Sequence, residues 1–120
     1  MRLDDALYNT KEWRSLRSDI LEDYDNICLW SLYVQGKILE ANRVHHIEEV
    51  LDNEDLVYEY DNCISLEKYN HYYIHKLYNS RYKKEVQEIL RLMLIDYNNN
   101  DKTLMKYKND ISTIERELGL

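Results

Sequence analysis

The sequence predicts an α+β fold that is mostly helical. The 120-residue chain contains no proline and only two glycines, which favours helices joined by short connections over long loops. Apolar residues recur at intervals of three and four positions in several stretches, a spacing typical of helices that bury one face. Residues 27–34 are rich in large apolar and aromatic residues without that spacing, and they predict a strand. With 44% hydrophobic residues, the chain can bury a core of one domain.

The first half of the chain is expected to form one helix and two strands. The helix should begin at residues 9–12, where Asn or Thr can cap it and Glu follows Asn by three positions. It should end near residues 23–26. Residues 27–34 predict a strand, and residues 35–37, with the sequence Gln-Gly-Lys, predict a turn. A second strand should end at residues 44–47.

The second half is expected to be helical after one short ambiguous segment. Residues 62–66 fit either a strand or a loop that leads into a helix over residues 67–79. Another amphipathic helix covers residues 86–97 and is broken by three asparagines at residues 98–100. Asp101 is a candidate cap for the last helix, whose apolar stripe is formed by Leu104, Tyr107, Ile111, Ile114 and Leu118.

The charge of the chain is uneven. Its net charge of −7 argues against a general nucleic-acid binder. Residues 48–61 hold seven acidic residues and no basic one, so the rest of the chain carries 23 − 7 = 16 acids against 16 bases. This stretch is either a simple solvated loop or the compensation for a basic face elsewhere, and the sequence leaves both interpretations open.

The expected location is the cytoplasm. The start of the sequence lacks the basic and apolar blocks of a signal peptide. No apolar run is long enough to span a membrane. Two cysteines, Cys28 and Cys63, do not make a disulfide framework, so we expect free thiols.

The four histidines are the residues most indicative of chemistry, because all of them lie between positions 45 and 75. His71 and His75 are four residues apart, which places them on one face of a helix. Two such imidazoles can share a metal ion with a third from a facing strand, and the remaining histidine can act as a base. This pattern indicates metal-assisted hydrolysis, although spacing alone leaves a structural metal open and names no substrate.

Three ordered segments resemble a known family. Residues 8–17, Tyr-Asn-Thr-Lys-Glu-Trp-Arg-Ser-Leu-Arg, resemble the opening helix of small HNH (His-Me finger) endonucleases that are common in phages and prophages. Residues 44–47, Val-His-His-Ile, resemble their first histidine motif. Residues 61–66, Asp-Asn-Cys-Ile-Ser-Leu, resemble their central segment, and His71 and His75 match the closing histidines. The resemblance covers residues 8–76.

The resemblance implies a ββα-metal fold in one domain over residues 1–120, with its core in residues 8–79 and a helical extension over residues 80–120. It also implies an enzyme that hydrolyses DNA to 5′-phosphate and 3′-hydroxyl ends. In such an enzyme His46 is the general base, and Asn62 braces the loop between the strand and the helix and so orients that base. One divalent ion (Mg²⁺, Mn²⁺, Ni²⁺ or Zn²⁺) is then bound by His45, His71 and His75.

The chain departs from the family at a second metal site. Many relatives hold a structural zinc with two Cys-x-x-Cys pairs, but the corresponding positions here are Cys28, Ser31, Glu67 and Asn70. Because these four make a poor zinc site, we expect no structural zinc. The helices after residue 80 are expected to stabilise the fold instead, by packing on the nuclease core or on a second copy in a homodimer.

Two other functions remain open. A non-catalytic binding or assembly protein on the same scaffold could assist phage DNA packaging together with a terminase, and the acidic charge favours that interpretation. A purely structural metal protein is the other. For a nuclease, the candidate phosphate contacts are Arg14, Arg17, Arg43, Lys76, Arg81, Lys83 and Lys84.

Overall fold

The computed structural model of the protein describes residues 3–120, with side chains from residue 6 onward. The start of the sequence, where we expected no signal peptide, includes residues 1 and 2, which lie outside the described residues. The helices and strands are α1 (Leu3–Tyr8), α2 (Lys11–Asp23), β1 (Arg43–His46), β2 (Cys63–Leu66), α3 (Lys68–Tyr78), α4 (Lys83–Asn98) and α5 (Lys108–Leu118). Short turns of 3-10 helix interrupt the loop between the strands. The predicted α+β, mostly helical fold is confirmed.

The two strands form an antiparallel sheet between two helices. His45 pairs with Ile64 and His46 pairs with Cys63. Helix α2 contacts both strands, and α3 contacts β1. Because successive side chains of a strand point to opposite faces, the two neighbouring histidines are directed to different helices, His45 toward α3 and His46 toward α2.

Side-chain caps begin the helices on either side of the sheet. The Thr10 hydroxyl accepts a hydrogen bond from the Trp13 N–H at 3.1 Å, which starts α2 where the sequence predicts it. The Glu67 carboxylate accepts from the Tyr69 and Asn70 N–H groups and starts α3 in the same way. Each cap satisfies backbone donors that have no partner within the helix.

The predicted strand over residues 27–34 is wrong. Ile27 forms only an isolated bridge with Glu40, and Ser31–Gln35 is a short π-helix that ends at Gly36. Gly36 has a φ of +66°, which glycine adopts without strain. Residues 28–33 are buried, and a short apolar run that is buried on all sides has no periodicity to distinguish a helix from a strand.

The C-terminal helices share the core with the sheet and α3. Helix α4 packs against α3 and contributes several buried side chains to the common core, as does α5: Val86, Ile89, Leu90, Met93, Leu94, Tyr97, Ile111 and Ile114. In the described part of the chain, no helix is long and apolar enough to cross a membrane.

Asp101 does not cap α5, contrary to the sequence prediction. Its carboxylate accepts hydrogen bonds from the N–H and hydroxyl of Thr103 and pairs with Lys106, while α5 begins only at Lys108. The connection between α4 and α5 lies against the π-helical segment, because the Tyr107 N–H donates a hydrogen bond to the Tyr33 carbonyl at 2.9 Å. Because these contacts hold the connection in place, α5 begins after it, at Lys108.

Candidate metal centre

Three histidines from two elements meet at one end of the sheet. His45 comes from β1, and His71 and His75 lie one turn apart on α3. One nitrogen from each ring lies within 4.8 Å of the others, and the Nε2 atoms of His71 and His75 are 3.0 Å apart. The structure therefore brings together the three residues that the sequence selects as metal ligands.

Burial lowers the pKa of two of these imidazoles, those of His45 and His71. It lowers the pKa of His71 to about 4, with further contributions from His75 and from the charge of Arg43. The pKa of His45, which is 3% exposed, lies well below its ordinary value, first because of burial and then because of the neighbouring histidines. Neutral imidazole is the form that binds metal ions.

The Nε2 atom of His45 is the feature that most directly indicates a ligand. Within residues 6–120, it is the one buried side-chain nitrogen or oxygen that lacks a hydrogen-bond partner. Such a group is costly unless something binds to it. Metal–nitrogen bonds are about 2 Å long, so three imidazole nitrogens this close can reach one ion after small rotations of the rings. The donor set fits a divalent metal ion.

His46 lies on the opposite face of β1 and is held by two groups. Its Nε2 is 2.9 Å from the carbonyl oxygen of Val57. Its ring stacks on the indole of Trp13, with 4.8 Å between the centroids and 30° between the planes. Burial lowers the pKa of His46, and the hydrogen bond to Val57 opposes that effect in part.

Asn62 braces the loop between the two strands. Its side-chain oxygen accepts from the Glu48 N–H at 2.8 Å, and its amide donates to the Glu48 carbonyl at 2.9 Å. A longer contact of 3.4 Å reaches the Leu56 carbonyl. The sequence led us to expect a brace between strand and helix. The braced loop instead connects β1 to β2, because Asn62 ends the 3-10 turn just before β2.

A cavity of about 300 Å³ opens beside the histidines. All four histidines line it, together with Tyr8, Val44, Glu49, Val50 and Leu51. The Glu49 carboxylate is 2.6 Å from the Lys83 amine of α4, so its charge is compensated. Sequence reasoning did not assign Tyr8 or Glu49 to this site. Tyr8 lies within the segment that resembles the family, and Glu49 belongs to the acidic stretch, but neither has a distinctive spacing.

The four positions that correspond to a zinc site in relatives are connected by hydrogen bonds. The Cys28 sulfur accepts from the Ser31 N–H at 3.4 Å and from the Asn70 amide at 3.6 Å. Asn70 also forms a reciprocal amide pair with Gln35. The Glu67 carboxylate accepts hydrogen bonds that cap α3. All four residues therefore already have partners within the protein.

Comparisons with known proteins agree with this geometry. No protein-family model and no curated protein matches the chain. Among solved structures, the crystal structure of an HNH endonuclease from the deep-sea thermophilic bacteriophage GVE2, with manganese ion, is similar. It is 27% identical over 61% of this chain and 78% of that chain, with a TM-score of 0.58. In its fold and in the order of its histidine motifs, the chain is similar to an HNH, or His-Me finger, endonuclease.

Proposed function

We propose that the protein is a metal-dependent endonuclease that hydrolyses phosphodiester bonds in DNA. The observation that carries the proposal is the unpartnered, buried Nε2 of His45 beside the imidazoles of His71 and His75. His46, the proposed base, lines the same cavity. The similar phage protein is an HNH endonuclease whose crystal structure contains manganese.

His45, His71 and His75 would hold one divalent ion. When bound, the ion supplies positive charge that stabilises the scissile phosphate and the leaving 3′ oxygen. The candidate ions are Mg²⁺, Mn²⁺, Ni²⁺ and Zn²⁺. Three imidazoles favour the transition metals over magnesium, which prefers oxygen ligands.

His46 would be the general base. A carbonyl oxygen only accepts hydrogen bonds, so the contact with Val57 requires the proton to sit on Nε2 of His46. The lone pair then lies on Nδ1, which can take a proton from the attacking water. Because burial lowers the pKa of His46, the ring is unprotonated at neutral pH and available as a base.

Asn62 would act as a positioning residue. It fixes both ends of the segment from Glu48 to Leu56, and the next residue, Val57, supplies the carbonyl that orients His46. Asn62 would therefore affect catalysis indirectly, by fixing the loop that orients His46. The two strands and the loop would thus hold the base and the ligands around one cavity.

The test is a plasmid-nicking assay with the purified protein, after removal of metal and addition of Mg²⁺, Mn²⁺, Ni²⁺ or Zn²⁺ in turn. We expect cleavage with at least one ion and none in EDTA. His71→Ala and His75→Ala should each weaken both metal binding and cleavage. Absence of cleavage with every ion, in protein that calorimetry shows to be metal-loaded, would overturn the proposal.

The second candidate is a non-catalytic binding or assembly protein, which the net charge of −7 favours. Such a protein could act with a phage terminase during DNA packaging. It would bind its partner equally well when His46 is replaced by alanine, and it would cut no DNA with any ion. A co-purification assay with the terminase distinguishes it from the nuclease.

A further inference from the structure

One flank of α3, formed by Lys68, Tyr69, Tyr72 and Lys76, carries two aromatic rings and two amines next to the metal ligands. A helix turns by about 100° per residue. Tyr72 and Lys76 therefore follow His71 and His75 by one such step each, and the four residues occupy the sector of the helix adjacent to the histidines. We call this surface the α3 flank.

The two tyrosines of the α3 flank are unusual for this protein. Tyr69 is 73% exposed and Tyr72 is 61% exposed. In the described part of the chain, eight other tyrosines use their hydroxyls in hydrogen bonds, namely Tyr24, Tyr33, Tyr58, Tyr60, Tyr73, Tyr78, Tyr97 and Tyr107. The ring of Tyr69 lies beside the Lys68 amine, 5.8 Å from the ring centroid. Adjacent exposed aromatic rings often mark a binding surface.

The α3 flank is positively charged although the whole protein is acidic. Helix α3 contains no Asp or Glu, and Arg43 of β1 is close enough for its charge to lower the pKa of His71. Three acidic residues of the loop between the strands have their charge compensated by α4, since Glu49 and Asp52 pair with Lys83 and Glu48 pairs with Arg91. This segregation leaves the side of the metal centre that α3 forms attractive to phosphates.

We infer that the α3 flank binds a DNA strand whose bases are unpaired, and that it presents this strand to the metal centre. The inference rests on the proposed nuclease function and specifies its substrate class. Aromatic rings bind bases by stacking on their faces, and amines beside them contact the phosphates. In a duplex only the base edges are accessible in the grooves, so two exposed rings select single-stranded or locally open DNA.

The experiment measures binding separately from cleavage. Wild-type protein in EDTA, which blocks metal-dependent cutting, is titrated into a labelled oligonucleotide as a single strand, as a perfect duplex and as a duplex with a central bubble. Fluorescence anisotropy reports the Kd. We expect the single strand and the bubble to bind at least about tenfold more tightly than the duplex. Tyr69→Ala and Tyr72→Ala should each weaken single-strand binding about fivefold or more.

Matched variants test whether the aromatic rings themselves are responsible for single-strand binding. Tyr69→Phe and Tyr72→Phe should bind like the wild type, because stacking needs the ring and not the hydroxyl. Ile95→Ala, which removes an exposed side chain from α4, should also have no effect. Equal affinity for duplex and single strand, or unchanged binding by the two alanine variants, would overturn the inference even if the protein cuts plasmid. Tyrosine-dependent binding without cleavage under any ion would instead overturn the nuclease function, while the α3 flank would remain a binding surface for unpaired DNA.

Discussion

At the scale of single residues, the side chain of His46 is fixed by two contacts from distant parts of the chain. The Val57 carbonyl determines which ring nitrogen carries the proton, and the Trp13 indole limits rotation of the ring. The sequence suggested His46 as the base through its resemblance to a family. Neither contact could be predicted, because each joins segments that only the folded chain brings together.

Replacing Trp13 should slow cleavage without removing the metal. In Trp13→Leu the imidazole loses the surface on which it stacks, so the base samples unproductive orientations and kcat should fall about tenfold or more. KM and metal affinity should change little, since Trp13 lies across the strand from the ligands. Trp13→Phe keeps an aromatic face and should recover most of the rate.

Steady-state cleavage and calorimetric metal titrations of both variants provide the measurement, with thermal denaturation as the control for folding. If a folded Trp13→Leu protein has the kcat of the wild type, Trp13 is only a core residue. If the variant loses metal affinity as well, its effect does not pass through His46.

At the scale of elements, the helices beside the metal centre follow from local sequence, but the segment between α2 and β1 does not. Capping residues and apolar spacing give α2 and α3 nearly their observed bounds. Residues 27–34 are too uniformly apolar to show a period. The hydrogen bonds that make Ser31–Gln35 helical, and the backbone contact from Tyr107, are tertiary features that a local pattern does not contain.

The hydrogen-bonded group at Cys28, Ser31, Glu67 and Asn70 should hold no zinc. Only one of the four is a thiolate ligand, and Asn70, Ser31 and Glu67 already have protein partners. Elemental analysis of the protein as purified should therefore give at most one tightly bound metal per chain. Cys28→Ala should leave that content unchanged, whereas His71→Ala should reduce it. A second metal that disappears with Cys28→Ala would contradict this account.

Helix α4 should contribute much of the stability that a structural zinc gives to small domains. Leu90 is fully buried, and Leu92 on the same helix is 42% exposed. Leu90→Ala should lower the free energy of unfolding by about 2–5 kcal/mol, and Leu92→Ala, the matched control, by well under 1 kcal/mol. Urea denaturation measures both. Equal, small losses would mean that α4 is an accessory to a core that is stable without it.

At the scale of the whole molecule, neutral buried histidines make stability depend on pH. In the metal-free protein the pKa of His71 is about 4, against an ordinary value of 6.5. Between these values the unfolded chain binds a proton that the folded chain does not, so the free energy of unfolding decreases as pH falls through this window. One fully coupled proton gives a slope of about 1.4 kcal/mol per pH unit, which solvent screening of a partly exposed ring reduces.

The prediction is tested by urea denaturation of EDTA-treated protein between about pH 7 and pH 5. The midpoint should fall with pH in the wild type and fall less steeply in His71→Asn, which has no titratable group at that position. Saturating metal should steepen the dependence, because protons then compete with the ion for the ligands. A midpoint that rises as the pH is lowered would show that the histidines are protonated in the folded protein.

The distribution of charge is the other property of the whole molecule that sequence and structure explain together. The sequence located the acidic excess in residues 48–61, which leaves balanced charge elsewhere. The structure shows that part of this excess is paired with Lys83 and Arg91 of α4. These pairs join residues that are remote in sequence, so their partners could not be predicted. A net charge of −7 therefore does not exclude a surface that binds DNA.

The central claim is that His46 is a base and not a ligand, and the most direct measurement compares His46→Ala with the wild type in two assays. Plasmid nicking with the preferred ion reports catalysis, and calorimetric titration of that ion reports the metal site. We predict that cleavage falls by about 10²–10⁴-fold while the Kd for the ion stays within about threefold, because His46 lies on the opposite face of the strand from His45. Cleavage by His46→Ala at the wild-type rate, or loss of the metal together with the activity, would contradict the assignment.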